Sequence, residues 1–373
     1  MKYAEISPIF KKEDSLDKSK YRPVSILTCT SKIFEKILDQ QFGEHFYACN
    51  AQCLSAYRKH HNTQSMLLRA IEDWKASLDQ GKCVGALLMD LSKAFNVIPH
   101  GLLIAKLKAY GYDDNVVKLI RCYLYDRKQC VKIDNMRSEW TVTNMGVPQG
   151  SILGPTLFNV FLNDLFFIMK EANIYNYADD NTLSHGSVSP NELAHTIEKH
   201  GNEITDWFEY NGMKANPDKY QTIVFGNRRD LPSSFKIKNV DLPCHDSVKL
   251  LGIHIDQTLS LNKHAIHVCQ KASKQVNAMM RLCNVLDTSS KKAIYDSFII
   301  SNFTYCPLVW LMCSKVHLKK AEKIQCRALR FVYYDFKSPY EDLSQGNHRS
   351  VSVILLHAIA IEGYKCLNEL EPK

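Results

Sequence analysis

Asn176-Tyr177-Ala178-Asp179-Asp180-Asn181 is the segment of this 373-residue chain best equipped for chemistry. Two adjacent carboxylates end an otherwise uncharged run, and unit charges about 4 Å apart repel by about 4 kcal/mol at an effective dielectric of ~20. A divalent cation removes that penalty and makes the pair a binding site. Taken alone, Asp-Asp-Asn is also good turn chemistry and reads more readily as a surface turn. Asp90 shifts the balance. It follows the continuous apolar run from Cys83 to Met89, where a strand buried on both faces would emerge. Three carboxylates so placed suit two-metal phosphoryl transfer, in which one ion activates a hydroxyl and the other holds a triphosphate, about 3.5–4 Å away. That chemistry needs mainly positioning and positive charge. Hard oxygen ligands point to Mg²⁺ or Mn²⁺.

The elements that must position these acids are legible as periodicities. Ile33, Phe34, Ile37, Leu38 and Phe42 recur at helical spacing, as do Met66, Leu67, Ala70, Ile71 and Trp74, with Gly81 as the stop. Helices are expected around 102–110 and 116–125, hairpin-like strands around 129–142, and a turn at 146–150. A helix through Leu157, Phe158, Phe161, Leu162 and Leu165 follows. Residues 173–182 read as a short hairpin carrying the two acids at its tip; a helix over 191–211 and a strand over 221–225 complete the block. This order predicts an α+β sheet with helices on one face. Beyond about residue 258 the chain is expected to be helical. Between Lys315 and Val332, Leu318, Ala321, Ile324, Ala328, Leu329 and Val332 share one helix face, and Lys319, Lys323, Arg327 and Arg330 the other. Such a basic stripe is either merely solvated or suited to a nucleic-acid backbone.

Composition sets bounds. With 45% hydrophobic and 23% charged residues the chain is an ordinary globular one, long enough for two or three domains. Lys and Arg number 47 against 39 acids, a surplus of +8 that fits a polyanionic partner without demanding one. Thirteen cysteines with no Cys-x-x-Cys pair argue against a disulfide framework or zinc ribbon and for reduced thiols inside a cell. His264, His267 and Cys269 lack a partner pair of ligands and read as ordinary helix positions. Met1 leads into a polar, Lys-rich segment without the apolar core of a secretory signal. The stretch 297–313 is broken by Ser301, Asn302, Thr304 and Pro307, so it reads as a buried helix and turn, with no membrane partner expected.

Together, Tyr-Ala-Asp-Asp at 177–180, Met-Asp-Leu-Ser-Lys-Ala-Phe at 89–95 and Gly-Val-Pro-Gln-Gly-Ser-Ile-Leu-Gly-Pro at 146–155 resemble the reverse transcriptases of non-LTR (LINE-like) retrotransposons. Lys-Tyr-Arg-Pro-Val-Ser at 20–25, Ala-Tyr-Arg-Lys at 56–59, Asn-Pro-Asp-Lys at 216–219 and Leu-Leu-Gly-Ile-His-Ile-Asp at 250–256 extend the likeness. It reaches Tyr-Cys-Pro-Leu-Val-Trp at 305–310 and Lys-Ile-Gln-Cys-Arg-Ala-Leu-Arg at 323–330. A lone Tyr-Ala-Asp-Asp is common; seven motifs in this order are specific.

The resemblance implies an α+β right-hand polymerase with a ferredoxin-like palm: fingers over 1–80, palm over 81–257, helical thumb and extension over 258–373. It implies an RNA-directed DNA polymerase that extends a primer 3′-hydroxyl with dNTPs on an RNA template, with a DNA primer or target. Asp90, Asp179 and Asp180 would ligate two Mg²⁺ ions, with Mn²⁺ as a substitute, and Lys219 would protonate the leaving pyrophosphate. Arg22 and Arg58 would grip the triphosphate, Phe95 would exclude a 2′-hydroxyl, and Gln149, Gly150 and Ala178 would line the nucleotide site. Leu250–Asp256 resembles the strand pair that holds the primer terminus. Asn96 stands where the family usually has Asp, so local hydrogen bonding near the triphosphate is expected to differ. Nothing resembles the endonuclease domain that usually precedes the polymerase, and no ribonuclease H-like carboxylate set follows. The fingers, with Ser7 to Lys12 just inside the start, are expected to be incomplete. A catalytically inactive nucleic-acid-binding remnant is the alternative; an RNA-copying RNA polymerase shares the acids but conflicts with Phe95. The implied location is nuclear, and the sequence leaves the oligomeric state open.

Overall fold

The computed structural model describes residues 2–11, 14–49, 53–92, 94–282, 284–343 and 349–368. Lys12 and Lys93, each within a motif above, lie outside the described residues. The chain divides into two compact units. The first comprises Met1–Lys59, Gly85–Thr222 and Pro232–Pro243, and the second His60–Val84, Ile223–Leu231 and Cys244–Lys373.

In chain order come strands β1 (Tyr3–Phe10) and β2 (Tyr21–Ile26), then helices α1 (Cys29–Cys49) and α2 (Thr63–Asp79). Asn62 and Ser65 start α2 with a capping box, each side chain bonding the other's backbone N–H. β3 (Cys83–Ser92) is the expected central strand: Cys83 to Met89 are buried and Asp90 surfaces. Helices α3 (His100–Ala109) and α4 (Asp114–Leu124) precede strands β4 (Arg127–Ile133), β5 (Met136–Arg137) and β6 (Thr141–Thr143). Next are α5 (Leu153–Leu162), the hairpin β7 (Asn173–Tyr177) and β8 (Asp180–Ser187), and α6 (Pro190–Tyr210), which Ser189 caps through the Glu192 N–H. Short strands β9 (Lys214–Ala215), β10 (Gln221–Phe225), β11 (Ser234–Ile237) and β12 (Val240–Pro243) follow.

Two sheets build the first unit. One runs β2-β1-β4-β5, with β6 also on β4. β1 is antiparallel to β2 and parallel to β4, with Ile6 opposite Val131. Sequence periodicity gave no sign of β1, which is held between β2 and the distant β4. The other sheet is ordered β10-β3-β8-β7, with β9 on β3. α6 lies close on this sheet: a Cβ on Gly201 would sit 2.6 Å from Ile237 and 2.8 Å from Leu87.

One expected face is corrected in part. Ile33 and Ile37 of α1 are 62% and 51% exposed, whereas Phe42 is buried and Phe34 and Leu38 are half-buried. Ser31 and Glu35 are buried as well, because distant partners satisfy this polar pair, so the buried face is rotated from the one apolar spacing named.

The second unit holds α2, whose Trp74 stacks on Phe225 at 4.9 Å, and the hairpin β13 (Ser247–Leu250) and β14 (Ile253–Asp256). Helices α7 (Asn262–Met280), α8 (Thr288–Ile294), α9 (Ser301–Thr304), α10 (Val309–Met312), α11 (Lys315–Tyr333), α12 (Tyr340–Leu343) and α13 (Val351–Leu367) follow, with a π-helical turn at Tyr295–Ile300. Its core joins Val276 and Met279 of α7 to Tyr295, Phe303 and Trp310 and to Ile324, Ala328 and Leu329 of α11. Lys319, Lys323 and Arg327 are exposed on the opposite face of α11, and Arg330 is half-buried. Arg327 donates to the Ser273 hydroxyl. His264 and Cys269 are buried on α7, and burial holds the His264 imidazole well down, to about 4. Among the described residues no helix is long and apolar enough to cross a membrane.

Candidate active site

β3 delivers Asp90 where its apolar run ends, and the β7–β8 hairpin delivers Asp179 and Asp180. Tyr177 pairs with Asp180, so Ala178 and Asp179 form the two-residue loop. Ala178 adopts φ 56°, a left-handed conformation that strains a non-glycine residue. Two amides hold it. Buried Asn176 donates to the Ala178 carbonyl at 2.8 Å and to Asn181 Oδ1 at 2.9 Å, and Asn181 donates to the Asp179 carbonyl at 3.2 Å. The backbone of Asn176 also exchanges hydrogen bonds with Cys53 and Ser55. Sequence reasoning read Asn181 only as turn chemistry and gave Asn176 no role, although an amide on either side of an acid pair is the available signal for a built turn.

A cleft of about 1110 Å³ opens over this hairpin. Asp90, Asp179, Phe95, Gln149, Gly150, Arg22 and Lys219 all line it, with Lys11, Lys20 and Tyr57 beside them. Asp180 and Ala178 belong to the same hairpin but do not line it. The acids keep solvent contact while crowded by protein atoms that displace water. That crowding is the first cause raising the Asp179 carboxyl, the Asp90 charge adds to it, and Arg22 and Lys11 pull more weakly the other way. Asp180 is pushed up to about 6 by burial, then by Asp179 and Asp90. Both hairpin acids therefore feel the Asp90 charge. Among the described residues no three His, Cys, Asp or Glu side chains converge as a ready metal cluster, so the fit to cations rests on donor chemistry and on this shared negative potential.

Aromatic rings set the floor. Phe158, fully buried, stacks under Phe95 at 4.4 Å and 14°, and Tyr57 meets Phe95 edge-on at 6.0 Å. Tyr57, at φ 60°, is a cleft residue the motif reading quoted but gave no role. The turn from Gly146 to Gly150 is clamped by Gly146 N–H to Ile98 O, Val147 N–H to Phe95 O, and Ser25 N–H to Gln149 O, each at 2.7–2.8 Å. At φ 81° a Cβ on Gly146 would lie 2.7 Å from the Asn96 carbonyl oxygen, and one on Gly150, at φ 103°, 2.9 Å from that of Ser25. Gly146→Ala is therefore expected to cost about 2–3 kcal/mol in urea unfolding, from left-handed strain plus a backbone clash. Gln149 Oε1 is buried without a hydrogen-bond partner.

Arg58 departs from expectation. Its guanidinium donates to the Leu54 carbonyl at 2.9 Å and does not line the cleft; Arg22 is the arginine there.

Residues 9–255 match the family described as reverse transcriptase (RNA-dependent DNA polymerase). The chain belongs to this family. The chain is 26% identical over 339 residues to the probable RNA-directed DNA polymerase from transposon BS of Drosophila melanogaster, covering 84% of this chain and 36% of that one. It is 26% identical over 328 residues to the RNA-directed DNA polymerase from mobile element jockey of Drosophila funebris, with the same coverage of each. It thus spans about a third of the length of these relatives. The apo telomerase structure from Candida tropicalis superposes with a TM-score of 0.50 at 10% identity, covering 92% of this chain and 59% of that one. The reverse transcriptase has the α+β right-hand polymerase fold its motifs implied.

Proposed function

We propose that this reverse transcriptase copies RNA into DNA, extending a primer 3′-hydroxyl with deoxynucleoside triphosphates. One observation carries the proposal: Asp179 and Asp180 are both raised by burial and by Asp90, and Asp180 also by Asp179, at the edge of a cleft whose other walls bear Arg22, Lys11 and Lys20. Carboxylates that hold protons too readily have the same need for a cation.

Asp90, Asp179 and Asp180 would hold two Mg²⁺ ions, and Mn²⁺ suits the same oxygen donors. When bound, the pair supplies positive charge to the triphosphate and a more acidic primer hydroxyl. Arg22, with Lys11 and Lys20, binds the triphosphate, the role that resemblance shares with Arg58. Lys219 carries a proton to the leaving pyrophosphate. Phe95 fills the space a 2′-hydroxyl would need, and Gln149 and Gly150 face the nucleotide and template. The exposed lysines of α11 suit the phosphates of a template–primer duplex.

The test is extension of a DNA primer on an RNA template by the purified chain, quenched by a chelator and restored by excess Mg²⁺. Folded protein that binds template–primer yet adds no nucleotide would overturn the polymerase proposal in favour of a binding remnant.

A further inference from the structure

Glu35 is a fully buried carboxylate on α1 that neither motif nor resemblance assigns. Its Oε2 accepts the Ile152 backbone N–H at 2.7 Å, and its Oε1 accepts the hydroxyls of Ser31 and Tyr123, each at 3.1 Å. Ile152 is the N-cap residue of α5 and caps nothing with its own side chain. Glu35 thus takes the Ile152 N–H from another helix, beside the Ser151 hydroxyl that accepts from Gly154, with its charge at the positive end of the α5 dipole. One turn along α1, Asp39 accepts from Thr156 of α5 at 2.5 Å. Tyr123 links the carboxylate to a buried cation: the Arg127 guanidinium lies 5.0 Å from the Tyr123 ring centroid and donates to the Tyr123 carbonyl at 3.4 Å.

The segment anchored this way runs straight into the cleft. Gln149 and Gly150 lie three and two residues before Ile152, and Ser25 fixes the other side of the turn by donating to the Gln149 carbonyl. Glu35 therefore joins Ser25 of β2, and Ser151, which bonds the Pro148 carbonyl, in setting where Gln149 stands. Isolated burial of a carboxylate is costly unless every oxygen is used, and here both are: Oε1 by hydroxyls of α1 and α4, and Oε2 by the residue that joins the cleft turn to α5.

We propose that Glu35 is a positioning residue for the incoming nucleotide, holding the Gln149–Gly150 turn against the cleft by accepting the Ile152 N–H at the start of α5; this rests on the polymerase activity proposed for that cleft. Glu35→Met keeps the volume and removes the acceptors. It is expected to raise KM for dNTP about tenfold or more, with affinity for template–primer changed less than twofold. Glu35→Gln retains one acceptor for the Ile152 N–H, and the Ser31 and Tyr123 hydroxyls can turn to accept from its amide. It should restore KM to within about threefold of the parent. Hydrogen exchange gives a readout independent of activity: amides of 150–154 exchange at least about tenfold faster in Glu35→Met and near the parent rate in Glu35→Gln. Unchanged dNTP KM in folded Glu35→Met, or equal losses for dNTP and template–primer, overturns the proposal. If Glu35→Met does not fold, Tyr123→Phe removes one donor and is expected to raise dNTP KM two- to fivefold; no change overturns it. If the parent adds no nucleotide, the polymerase reading fails by itself, and unaltered exchange at 150–154 overturns the anchoring role separately.

Discussion

Asp179→Asn is expected to lower primer extension by about 1,000-fold or more while raising stability in chelator at pH 8. The loss follows from charge: an amide of the same shape donates where a cation needs an acceptor, and phosphoryl transfer relies on electrostatic stabilisation. The hairpin survives, since Asn176 and Asn181 hold it through backbone carbonyls. The gain follows from linkage. The folded-state affinity of Asp179 and Asp180 for protons is raised, from 3.8 to about 6 at Asp180, so folding binds protons. Stability contributed by such acids is present at low pH. For Asp180 it is lost as pH rises from about 4 through about 6. Asp180→Asn should therefore raise the urea midpoint at pH 8 and change it little at pH 4. Mg²⁺ should then stabilise the parent by mass action and the Asn variants much less. Equal Mg²⁺ stabilisation in parent and variants, or extension that persists in Asp179→Asn, would sink the proposed metal set.

Those acids were legible because local chemistry dictates their surroundings. A seven-residue apolar run specifies a buried strand whatever surrounds it, so Asp90 had to emerge at its end. Tyr177 to Asp180 form a tight turn, with only Ala178 and Asp179 between the paired strands. What escaped the sequence is set by partners far along the chain. β4 adds a far partner to the β1–β2 pair, and α1 turns Glu35 inward because Tyr123 and Ile152 satisfy it. Periodicity weighs only hydrophobicity, so it credited Ile33 and Ile37 with a burial they do not have. Arg58 shows the same limit for a charge: its neighbours in sequence place it near the cleft, but the Leu54 carbonyl takes its guanidinium.

Phe95→Val should weaken discrimination against ribonucleotides by about 100-fold, roughly 3 kcal/mol, with kcat/KM for deoxynucleotides falling about tenfold or less. The ring can act as a gate because it cannot yield. Phe158 supports it face-on from a fully buried position and Tyr57 meets its edge, so a 2′-hydroxyl would have to displace packed aromatics rather than a free side chain. Valine removes the outer part of that ring and uncovers Phe158, at a stability cost of about 1–3 kcal/mol that urea unfolding would register. A structural role alone predicts the stability loss without the change in sugar selectivity. The comparison of dNTP and rNTP incorporation in one folded variant therefore separates the two. Tyr57→Phe removes only the hydroxyl and should leave the ratio unchanged. If Phe95→Val keeps full discrimination, Phe95 is not the gate. If Tyr57→Leu relaxes discrimination while Phe95→Val does not, sugar selection belongs to the left-handed Tyr57.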